Sequence, residues 1–178
     1  MEKPFLSGSI KVDEESLKKI FIFNLNQTYS ILLYLGDYLP ILAKAACYGD
    51  LENVIEEFLS EVNIQSHRIS DIFILLKEVP VEKNNFAVQK LLPFLVTEDA
   101  DKAVDGLLKD LSLVFYLQRV VALKHSYFFI LKSISNSLNN TNIKQYLQYN
   151  FKECEENQVL FKLIAKEYKE SSINVFLQ

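Results

Sequence analysis

The chain has 178 residues, enough for one domain with its own core. Hydrophobic residues make up 49% of it, while Gly and Pro number four each. That is too few turn formers for a sheet protein, so the chain reads as mostly helical. A net charge of −4 with both signs interspersed leaves no basic stripe for nucleic acid and no polybasic membrane anchor, so neither is expected as a partner.

Residues 1–13 read as an N-terminal arm that mixes acids and bases where a signal peptide needs an apolar run. Asp13 with Glu14, Glu15 and Ser16 is a helix start, because carboxylates favour the positive end of the macrodipole. The first helix is expected from about Glu14 to Tyr48, bent or split at Pro40. Asn24, Asn26, Gln27, Asp37 and Lys44 interrupt its apolar run, which makes it a buried helix rather than a membrane span.

Gly49 stops that helix and Asp50 caps the next, which runs from Leu51 to about Val79. Its stripe is Leu51, Val54, Ile55, Phe58, Val62, Gln65, Ile69, Ile72, Phe73 and Leu76. Pro80 ends it, and a loop and a short helix ending near Val96 follow. A third long helix is expected from about Ala100 to Leu138, then a turn over Asn139–Asn142. The fourth, from Ile143 to about Lys169, carries the stripe Ile143, Leu147, Phe151, Cys154, Gln158, Phe161 and Ile164 or Ala165, before a tail over 170–178. The expected fold is all-α: an up-down four-helix bundle in a single domain, with a short extra helix between the second and third.

One residue breaks the apolar pattern. In "VFYLQRVVALKHSYFFIL", Lys124 sits on a stripe with Leu117, Val121, Phe128 and Leu131. Either the ammonium is buried beside a partner, or its stem lies on apolar surface and its charge reaches solvent. "SYFFIL", "FIF" and "ILLYL" place apolar side chains around most of the helix circumference, which implies a homodimer packed through the first and third helices. His67 and His125 have no partner at helical spacing and read as surface or interface histidines. Cys47 and Cys154 are isolated thiols, which points to packing roles in a reducing, cytoplasmic setting. No phosphate loop, GxSxG, DxDxDG or HExxH is present, and no residue is assigned a catalytic role.

"IFIFNLNQTYSILLYLGDYLPILAKAA", "LENVIEEFLSEVNIQSHRISDIF" and "DLSLVFYLQRV" together resemble, in order and spacing, the YciF-like branch of the ferritin-like superfamily. The resemblance covers about Ile20 to Ala165. It implies a ferritin-like bundle, generally dimeric and stress-associated, around a candidate di-iron site. Such a site needs about four inward carboxylates plus His or similar ligands. At the matching positions stand Leu32, Glu61, Gln65, Val121, Lys124, Glu153, Cys154 and Gln158, and Glu-x-x-His occurs nowhere.

The resemblance therefore implies a dismantled metal site with no cofactor, in which Lys124 replaces the metal's charge beside Glu61. The first functional expectation is a metal-free, non-enzymatic structural or interaction protein. The alternatives are residual di-metal binding or oxidase activity, and carriage of an apolar small ligand in a cavity lined by Leu32, Val121 and Phe128.

Overall fold

Asp13 opens the first helix, accepting hydrogen bonds from the Ser16 amide at 2.8 Å and the Ser16 hydroxyl at 2.7 Å. The structure, a computed structural model, describes residues 13–81 and 106–176, with side chains up to 170. Four helices account for nearly all of them: α1 Glu14–Ala45, α2 Gly49–Leu76, α3 Gly106–Ser135 and α4 Thr141–Phe176. The short helix expected near Val96 lies outside the described residues.

Pro40 stays inside a continuous α1. The polar residues of that helix are reconciled with its burial by turning back on their own backbone. Asn24 and Asn26 donate to the carbonyls of Ile20 and Ile22, and Thr28 and Ser30 to those of Asn24 and Asn26, at 2.8–2.9 Å. Asn26 also accepts from the Val81 amide at 2.7 Å, which ties the chain beyond α2 to α1.

At the α1–α2 corner the cap residue Tyr48 offers no side-chain hydrogen bond. A carboxylate from elsewhere takes its place: Asp110 of α3 accepts from the Cys47 and Tyr48 amides at 2.7 and 3.0 Å. A negative group there also suits the positive end of α2. α2 ends at Lys77 in the left-handed region, φ 57°, with Lys77 and Glu78 amides donating to the carbonyls of Ile74 and Phe73.

The helices pack as two pairs, α1 with α2 and α3 with α4, joined laterally by α1 on α3 and α2 on α4. Cys47 meets Asp110 while Tyr38 meets Tyr116, so α1 and α3 are antiparallel. Gln65 meets Glu153 while Phe58 meets Phe161, so α2 and α4 are antiparallel too. It follows that α2 and α3 run in the same direction across the diagonal. The end of α2 and the start of α3 therefore lie at opposite ends of the bundle, as in four-helix bundles with one long crossover. Gly106 starts α3 hard against Cys47: a Cβ on it would lie 3.2 Å from the Cys47 Cβ.

Every stripe position of α2 is buried except Val54 and Leu76, which are partly so. On α4 the inward row is Ile143, Leu147, Asn150, Cys154, Asn157 and Phe161, with Phe151 and Ala165 beside it. Gln158, expected on this row, is half-exposed, and α4 continues helical beyond Lys169. Among the described residues no helix is long and apolar enough to cross a membrane.

Candidate functional site

Where the four helices converge, α3 delivers Lys124 to the interior with none of its surface exposed. The reading in which its charge reaches solvent is thereby corrected. Its Nζ finds no hydrogen-bond acceptor among the described residues and lies 4.3 Å from the centroid of the Phe58 ring. Burial draws the Lys124 amine below the usual lysine range. The Cys154 sulfur, Glu61 and Glu153 pull in the opposite direction and are outweighed.

The carboxylates nearby have other partners. Glu61 accepts a hydrogen bond from Asn157 of α4. Glu153 accepts from Gln65 at 2.9 Å and from Arg68 at 2.6 Å, and Arg68 also donates to Asn150 at 2.9 Å. This chain of contacts staples α2 to α4 along the interior wall. A direct ion pair between Glu61 and Lys124, expected from the sequence, is not formed: the glutamate is held by an amide and the ammonium by an aromatic face. The Gln65 Oε1 and Asn150 Nδ2 atoms are buried without partners among the described residues.

The other positions complete the picture. Leu32 and Val121 are fully buried and apolar. Cys154 is buried, and burial pushes its thiol up to about 11, so it is protonated at neutral pH. Gln158 instead borders a shallow groove with Arg119 and Lys162. His67 bonds the Asn63 carbonyl at 2.7 Å on the exposed face of α2, and His125 packs on the Phe151 ring at 4.7 Å.

A di-iron centre needs several inward carboxylates and imidazoles with lone pairs to give. Here the described residues around Lys124 offer two carboxylates already engaged by donors, one protonated thiol and an amine. Among the described residues no group of three or more His, Cys, Asp or Glu is placed to hold a metal ion. The residues present do not fit the two-metal centre that the resemblance implies.

Three residues that matter were not anticipated as parts of this site: Arg68, Asn150 and Asn157. The asparagines carried a readable signal. The spacing 143, 147, 150, 154, 157, 161 is an alternating four-three register, which puts them, rather than Gln158, on the inward row. Leu32, Val121 and Phe128 were expected to line a cavity for an apolar ligand. All three are fully buried among core side chains, and a cleft opens at the end of the bundle.

The sequence model of DUF892, a domain of unknown function, matches residues 16–174. Among solved structures, the stress protein YciF of E. coli superposes with a TM-score of 0.79 at 18% identity, covering 86% of this chain and 97% of that one. YcfI of Rhodopseudomonas palustris, provisionally described as a structural protein, superposes with a TM-score of 0.75 at 21% identity, covering 89% and 98%. A comparison with curated proteins found no match.

Proposed function

We propose that this chain, which belongs to the DUF892 family, is a metal-free bundle of the ferritin-like type that acts without catalysis, as a cytoplasmic homodimer in a structural or interaction role. The observation that carries the reading is Lys124. A permanent side chain reaches the place where the resemblance puts metal, over the Phe58 ring, and the flanking carboxylates bind Asn157, Gln65 and Arg68. The descriptions of YciF as a stress protein and of YcfI as provisionally structural support extending such a role to this chain.

The test is metal content on protein purified without chelator, then challenged anaerobically with Fe(II). Substoichiometric metal in both preparations is the expected result. Stoichiometric iron or manganese would overturn the reading and bring forward residual di-metal binding or oxidase chemistry.

A further inference from the structure

The cleft at the end of the bundle, about 450 Å³, lies where α1 turns into α2 and α3 begins. That volume falls in the range of small-molecule sites. Tyr48 and Tyr168 stand in its wall, edge to face with ring centroids 6.4 Å apart. Leu51 and Ile164 contribute aliphatic lining, and Asp50 and Glu167 bring two carboxylates, with no basic residue among the described residues of the lining.

A single group ties the Tyr168 ring and the Tyr48 backbone to this corner. The buried Asp110 carboxylate holds the Tyr48 and Cys47 amides and also accepts the Tyr168 hydroxyl. The Tyr168 hydroxyl is pushed up to about 12, first by burial and then by the negative charge of Asp110 and Asp50. Among the described residues no Lys, Arg or His forms an ion pair with Asp50, Asp110 or Glu167. Two tyrosine rings, an apolar lining and carboxylates without an ion-pair partner among the described residues thus surround one cavity.

We propose that this cleft binds an amphipathic organic cation, a protonated or quaternary amine on a short apolar body. The cationic head sits against the tyrosine rings and is neutralised by Asp50 and Glu167, while the body covers Leu51 and Ile164. An aromatic face attracts such a head because its water shell is weak and the ring quadrupole is negative. Fixing the Tyr168 ring beforehand lowers the ordering cost of binding. The proposal does not rest on the metal-free reading, since the cleft lies at the bundle end.

The experiment is titration of the full chain with benzyltrimethylammonium and with its neutral carbon analogue neopentylbenzene, read by calorimetry and by NMR shifts at Tyr168. The cation should bind about tenfold more tightly than the neutral analogue. Asp50→Asn and Glu167→Gln, both at exposed positions, should each weaken the cation several-fold and leave the neutral compound unchanged. Equal affinity for the two compounds would overturn the proposal. So would charge variants that bind the cation like the parent, or no binding by either compound at millimolar concentration.

Discussion

A fully buried amine without an acceptor keeps its proton only at a cost, and Lys124 is such a group. Because burial lowers its folded pKa, the unfolded chain binds the extra proton between that lowered value and the ordinary 10.5. Stability therefore rises with pH across this window, and at neutral pH Lys124 is a net penalty. Lys124→Met keeps the volume and removes the titration, so it should stabilise the protein at neutral pH by about 1–3 kcal/mol. The gap to the parent should close as pH rises toward 10.5. Cys154 has the opposite sign: its thiol is raised from 9.0 to about 11, so stability falls as pH rises between those values. Lys124 itself lowers the Cys154 thiol, so the two proteins are compared by urea unfolding below pH 9.0. There the thiol stays largely protonated folded or unfolded, and the difference reports the lysine. A methionine variant less stable than the parent at neutral pH would mean that the charge is compensated in the interior after all.

Arg68 tests the neighbouring wall. Arg68→Ala leaves Glu153 with Gln65 alone and strips Asn150 of the contact to its Oδ1. The pair is about a quarter exposed, which tempers the loss. A cost of about 1–3 kcal/mol is expected in denaturant unfolding, and an unchanged midpoint would show that the staple from α2 to α4 contributes nothing.

At the scale of the helices, what could be read from the sequence was what the apolar period determines. The α2 stripe from Leu51 to Phe73 is buried as the spacing requires, and Lys124 lies on the inward face of α3 as its apolar neighbours imply. Polar side chains mark the limit. Hydropathy ranks Asn157 and Gln158 alike, so only the register from Ile143 to Phe161 separates the inward residue from the outward one. The pairing of Asp110 with amides some sixty positions away has no local signature at all. The same is true of the direction of α3, which no residue in it encodes.

Helix ends depend on backbone geometry that propensity only partly fixes. The sequence suggests that α2 runs on to about Val79, but the left-handed Lys77 ends it. A side chain with a Cβ is strained there. Lys77→Gly should accordingly raise stability by about 0.5–1 kcal/mol, once the greater entropy of glycine in the unfolded chain is deducted. A higher urea midpoint at unchanged slope is the expected result, and a lower midpoint would mean the Lys77 side chain contributes more than its backbone strain costs.

For the molecule as a whole, α3 is the element that calls for a second copy, being apolar around most of its circumference although one bundle covers only part of it. Phe115, Phe129 and Ile130 stay exposed on α3, and Phe23, Leu33 and Ile41 on α1. Tyr38 beside Tyr116 sets the antiparallel register, which brings Ile41 and Phe115 to about the same level. A homodimer of ordinary size needs about 800 Å² from each partner, and these side chains would form the apolar centre of such a patch. Placing charges there should separate the copies without disturbing either core. Ile41→Glu with Phe115→Glu is expected to sediment as a monomer under conditions where the parent sediments as a dimer. Only the parent's melting temperature should rise with protein concentration, because association stabilises the folded state by mass action. A parent that sediments as a monomer at micromolar concentration would remove the homodimer. A double variant that stays dimeric would move the interface off the α1 and α3 surface.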